Sequence, residues 1–216
     1  VNDDIFTSGT NTKLVFESDV SIAAGKTIGS TSGSIQFDRN IFQSSSGAFS
    51  NIIGETITFE TNARLGGAAD SAFRSQLEVK ASTINIKSNE ISQLDANFIG
   101  VGSNASITLA GGDNTWTINA DGSGLFKRNA NATFSLENFT TLTGGTGLDT
   151  FNVTSGALTM TLNGGGWNDI FNISGQANTG ELNIVGGNGQ DTFNFGQLTG
   201  SFVVNAGGDK SSGVKI

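Results

Sequence analysis

Cysteine, histidine, proline and tyrosine are all absent from this chain of 216 residues. Without thiols or imidazoles there is no disulfide scaffold, zinc finger, iron–sulfur cluster, thiol nucleophile or imidazole-based triad. Charge is scarce as well: Asp, Glu, Lys and Arg make up 14% of the residues, against 36% hydrophobic ones. Charge-rich disorder is excluded on that ground, because regularly spaced Ile, Val, Leu and Phe can supply a core. The charge present leans acidic, 19 acids against 11 bases for a net −8, which argues against nucleic acid as a partner. No apolar run approaches the ~20 residues of a membrane helix, so membrane insertion is not expected. The opening Val1-Asn2-Asp3-Asp4 has neither an initiator Met nor a charged-then-apolar leader, and the chain reads as a segment of something larger.

Glycine, by contrast, is abundant at 31 residues, and in the C-terminal half it is periodic. Three segments align without gaps: Gly144-Gly145-Thr146-Gly147-Leu148-Asp149-Thr150-Phe151-Asn152, Gly164-Gly165-Gly166-Trp167-Asn168-Asp169-Ile170-Phe171-Asn172 and Gly186-Gly187-Asn188-Gly189-Gln190-Asp191-Thr192-Phe193-Asn194. A fourth begins at Gly207-Gly208, and the glycine pairs start 20, 22 and 21 residues apart. Each unit holds a Gly-rich turn, a Phe-containing strand, a small polar turn and a second strand. A unit that short cannot bury its own apolar face, but stacked units can, each forming one coil of a solenoid.

The fold class that follows is all-β, a right-handed parallel β-helix of about 20–22 residues per coil. Equivalent strands then lie about 4.8 Å apart along the axis. Phe151, Phe171 and Phe193 are expected to form one inward stack and Leu162, Ile184 and Val204 another, with Asn152, Asn172 and Asn194 as an amide ladder. Two continuous parts are expected: irregular coils over 1–110 and coils with regular Gly-Gly repeats over 111–216. In the first part, alternating runs mark strands at Lys13–Phe16, Ser34–Phe37, Thr56–Phe59, Leu77–Val79, Thr83–Ile86 and Ser106–Leu109. Small-residue turns at Ala23-Ala24-Gly25 and Gly66-Gly67-Ala68 separate them; a β-sandwich is the alternative for this part. After Gly111-Gly112 the next pair is 33 residues on, which implies an enlarged coil or a side excursion around Asp121 to Ala132. Ile118-Asn119 is placed where later units have Phe-Asn, and Lys127-Arg128 is read as a solvated loop tip.

The runs Glu55–Phe59, Leu65-Gly66-Gly67, Leu77-Glu78-Val79 and Thr83–Ile86, then Trp116-Thr117-Ile118, Phe134–Leu142 and Asp149-Thr150-Phe151, resemble a signature of giant bacterial surface exoproteins. These are the filamentous-haemagglutinin-like or autotransporter-like β-strand-repeat proteins, and the resemblance covers about residues 50–208. It implies a secreted segment at the bacterial cell surface, outer-membrane-attached or released, acting as an adhesin stalk or extracellular fibre without catalysis. The partners it implies are further copies of the chain, end to end or side by side, and a host-surface or matrix glycan.

The turns also resemble the calcium-binding nonapeptide GGxGxDxUx of repeats-in-toxin proteins. By that resemblance Asp149, Asp169 and Asp191 are the metal-ligand candidates and calcium the cofactor, which would make the chain a calcium-dependent binding module. From Asn129 to Asp209 there are six acids and no Lys or Arg, so no side chain within that window can neutralise a column of carboxylates. Three departures stand against this: one motif per coil instead of tandem copies, Trp167 at the second turn glycine, and Ser212 in place of the fourth Asp. Turn capping, in which each Asp accepts backbone N–H groups, is the alternative. An enzymatic alternative pairs Asp149 with Asp169, or Asp95 with Asp113, as the two carboxylates of a polysaccharide-cleaving β-helix. Trp116 and Trp167 sit at different places in their coils, one inward and one at a turn; an outward indole could stack on a sugar, an inward one packs.

Overall fold

The computed structural model describes residues 1–43, 48–63, 75–87, 94–128, 132–154, 156, 158–175, 177–196, 199–207 and 213–215. They form an all-β solenoid of about seven turns of parallel strands, with no helix. The β-sandwich alternative for the first hundred residues is set aside by parallel pairing throughout that part.

Two ladders organise the molecule. One passes through Lys13–Phe16, Ser34–Phe37, the second halves of Ser50–Phe59 and Ser75–Ile86, and Ser106–Leu109. It continues through Thr141–Thr146, Met160–Gly166, Ala177–Asn188 and Thr199–Asn205. The other starts at Ile5–Thr7 and runs through Thr27–Ser30, the first halves of the two long strands and Leu94–Gly100 to Ala132–Glu137. There the direction of pairing changes. Gly124–Arg128 lies antiparallel to Ala132–Glu137, and Asn114–Ile118 lies antiparallel to Gly124–Arg128. Parallel pairing then resumes through Thr150–Thr154, Ile170–Ser174, Thr192–Phe195 and Gly213–Lys215. A separate pair, Val20–Ile22 with Ile41–Gln43, completes the early coils.

The expected excursion near Asp121 is thus an in-plane meander that belongs to the ladder. Its central strand buries alternate residues, Gly124, Phe126 and Arg128, and exposes Leu125 and Lys127. The placement of Ile118-Asn119 needs correction: Trp116 pairs with Phe151 and Thr117 with Asn152. The Gly111-Gly112 turn is two residues shorter than its successors before the aromatic position, so counting from the glycines overshoots.

Inward alternation builds the core. Phe151, Phe171 and Phe193 stack with ring centroids 4.9 and 5.1 Å apart and planes within 5°. Trp116 extends this file at 5.5 Å. Through the meander, Phe126 and Phe134 carry it on to Phe98, with steps of 5.2, 4.7 and 5.7 Å. One aromatic file therefore crosses from the irregular coils into the regular ones. Leu162 and Ile184 superpose and are buried, while Val204 holds the same register but is 36% exposed on its outer rung. The half-buried amide ladder forms as expected, Asn172 Nδ2 donating to Asn152 Oδ1 at 2.9 Å and Asn194 Nδ2 to Asn172 Oδ1 at 2.8 Å. The turn expected at Gly66-Gly67-Ala68 and the Ser212 position lie outside the described residues.

Candidate functional site

The glycine-rich turns bend the chain between the two ladders, and each delivers an aspartate to the inside of the bend. Asp149, Asp169 and Asp191 are all buried, at 0%, 0% and 1% exposure. Space for them is made by the first glycine of each motif. A β-carbon on Gly144, Gly164 or Gly186 would collide with the Oδ2 of the aspartate five residues later, and with a carbonyl of the next rung. The GG…D spacing is therefore explained by packing: the carboxylate occupies the volume that a side chain would need.

The three acids form a directional hydrogen-bonded column. The Asp149 N–H donates to Asp169 Oδ1 at 2.8 Å, and the Asp169 N–H donates to Asp191 Oδ1 at 2.9 Å. On the preceding rung Asn114 fills the aspartate's place, its N–H and Nδ2 both donating to Asp149 Oδ1 at 3.1 and 2.6 Å. Asn114 Oδ1 in turn accepts from Arg128 Nε at 2.9 Å. Arg128, expected at a solvated tip, is 1% exposed, because it holds an inward position of the meander's central strand. Sequence analysis missed both Asn114 and Arg128. The available signal was Asn114-Thr115-Trp116, which mirrors Asp149-Thr150-Phe151.

Electrostatics follow from burial. Desolvation raises the Asp149 carboxyl to about 7, opposed by its bonds from Asn114 and by the Arg128 charge. Asp169 is also pushed to about 7, again chiefly by desolvation, with its acidic neighbours on both sides adding to the rise. Burial lowers the Arg128 guanidinium to about 10, against the pull of Asp149. The Arg128 charge thus opposes the rise at Asp149, while at Asp169 the neighbouring acids reinforce it.

The second oxygens of Asp149 and Asp169 are buried without a hydrogen-bond partner. Asn114 shows what completes such a position: its Nδ2 also donates to the Gly144 carbonyl at 3.3 Å. The corresponding carbonyls, Gly164 O for Asp149 and Gly186 O for Asp169, flank the same glycine pockets as the Oδ2 atoms. A proton on Oδ2 would turn each acid into the same kind of donor. A cation would need more: calcium takes about six to eight oxygens, and among the described residues no three acidic groups gather in a metal-site cluster.

Of the carboxylate pairs considered for polysaccharide cleavage, Asp149 and Asp169 are fully buried. Asp113 is exposed, and its Oδ1 accepts from the Leu148 N–H at 2.9 Å. The Asp95 side chain lies outside the described set. Two further acids that sequence analysis did not pair, Asp121 and Glu137, line an open cleft of about 650 Å3 beside the meander. Asp121 is held below the usual carboxylate range by hydrogen bonds from Ser123. Trp116 is fully buried in the aromatic file, whereas Trp167 stands 69% exposed at its turn.

Compared with family models, curated proteins and solved structures, the chain matches none.

Proposed function

We propose that this chain is a structural segment of a secreted bacterial surface adhesin or fibre, working as a stiff stalk without catalysis. The observation that carries this reading is that three kinds of side chain stack along one direction. The aromatic file, the Asn152-Asn172-Asn194 ladder and the aspartate column each spend their residues joining rung to rung. Such nearest-neighbour stacking gives a quasi-one-dimensional object whose length scales with coil number. End-to-end association of copies fits the same picture. Small-angle scattering tests the stalk: an elongated profile with a cross-section of constant radius is expected, and a globular profile would remove the reading.

A second reading, a calcium-dependent repeat module, draws on the unsatisfied Oδ2 atoms of Asp149 and Asp169. On that reading a chelator lowers the melting temperature and added calcium restores it. An unchanged melt leaves turn capping by protonated or partly charged acids as the role of the column.

A further inference from the structure

Among the described repeat turns, Trp167 stands where the others have glycine, at a visible cost. Its φ is +80°, a left-handed conformation, while the matching positions of neighbouring rungs are Gly147 and Gly189 with φ of +135° and +125°. A bulky side chain is disfavoured there, and this one gains no burial in return, being 69% exposed. An indole that helps neither the backbone nor the core is held in place for its surface.

Its surroundings suit one kind of ligand. The register Gly145–Gly165–Gly187 and Thr146–Gly166–Asn188, carried forward, sets Gly147 and Gly189 on either side of Trp167, so the matching positions on the two adjacent rungs carry no side chain. Leu148, 41% exposed, is an apolar residue at the Asn168 position of the preceding rung. Asn168 and Gln190, both exposed, stack on the same turn face, the Gln190 N–H donating to Asn168 Oδ1 at 2.7 Å. That bond uses the Asn168 oxygen, while the amide N–H groups belong to an exposed side chain. A flat aromatic face flanked by amides matches a pyranose ring, which presents C–H groups on one face and hydroxyls around its edge. The net charge of −8 disfavours acidic sugars.

We propose that the turn face around Trp167, with Asn168 and Gln190, is a binding platform for neutral pyranose glycans. It stands independently of the stalk reading: a rigid rod without sugar binding and a sugar-binding chain of another shape are separate outcomes.

Fluorescence gives a direct test, since the chain has two Trp residues and one of them is buried. In Trp116→Phe the remaining indole is Trp167, and Phe at that place copies Phe151 and Phe171. Titration with oligosaccharides of glucose, galactose and N-acetylglucosamine should give a saturable blue shift with at least one neutral series. Acidic uronate oligomers should give none. Trp167→Gly should abolish binding by calorimetry while melting at or above the parent temperature, because glycine relieves the left-handed strain. The proposal is overturned if no neutral series shifts the emission, or if Trp167→Gly still binds. It is equally overturned if the shift tracks protein concentration, which would make a second copy the occupant.

Discussion

Asn114 and Asp149 occupy the same place on successive rungs, and their difference is a single atom group: an amide that donates, a carboxyl that donates only when protonated. The carboxyls of Asp149 and Asp169 rise from 3.8 to about 7, so the folded chain holds protons that the unfolded chain releases. Their contribution to stability is complete below about pH 3.8 and is lost as pH climbs through about 7. The melting temperature is therefore expected to be higher at about pH 5 than at about pH 8. Asp169→Asn keeps the Oδ1 acceptor for the Asp149 N–H and supplies a permanent donor toward Gly186 O. It should flatten this dependence and add about 1–2 kcal/mol above pH 7. Scanning calorimetry across the range checks both, and a flat profile in the unmodified chain would contradict the burial argument. At the glycine side of the same pocket, Gly164→Ala forces a methyl against Asp169 Oδ2 and Gly186 O. The expected cost is about 1–3 kcal/mol in urea denaturation.

At the scale of elements the meander of Asn114–Ile118, Gly124–Arg128 and Ala132–Glu137 joins the early rungs of its ladder to the late ones. Phe126 is fully buried between Trp116 and Phe134. Phe126→Ala should cost about 3–5 kcal/mol, more than an exposed substitution such as Leu125→Ala, and equilibrium denaturation measures the difference. The strands with period-two alternation, Ser34–Phe37 or Ser106–Leu109, were legible in sequence because each carries two inward apolar residues. Thr27–Ser30 and Ile41–Gln43 were not, because each has a single buried apolar side chain, Ile28 or Ile41, and so shows no alternation. The meander's central strand was hidden for another reason. Arg128 fills an inward position, and a buried arginine can be inferred only from its partner Asn114, 14 residues back in the chain. The aspartate column was legible because each member follows its Gly-Gly pair by the same five residues, whereas its cap was not, since Asn114 stands only three residues after Gly111 and Arg128 has no counterpart in the later units.

For the molecule as a whole, equivalent residues superpose closely enough that a full period is removable. Thr143 lies over Asn163 and Gly145 over Gly165, so deleting Gly144 to Asn163 joins Thr143 to Gly164 with the strand path intact. Trp116 then meets Phe171, and Asn114 meets Asp169. The shortened chain is expected to fold cooperatively and to be shorter by about 4.8 Å, with a melting temperature modestly below the parent's, as nearest-neighbour coupling requires. Circular dichroism and scattering read both, and collapse of the fold would show that the coils are not interchangeable. The same interchangeability bears on how such an array could lengthen by duplication. Copying the Asp169 rung would add another uncompensated acid to the interior, and each tandem copy would make the lengthened array more fragile in alkaline surroundings. Copying the Asn114 rung would add none, so the choice of founder coil would decide the range of acidity in which a longer descendant survives.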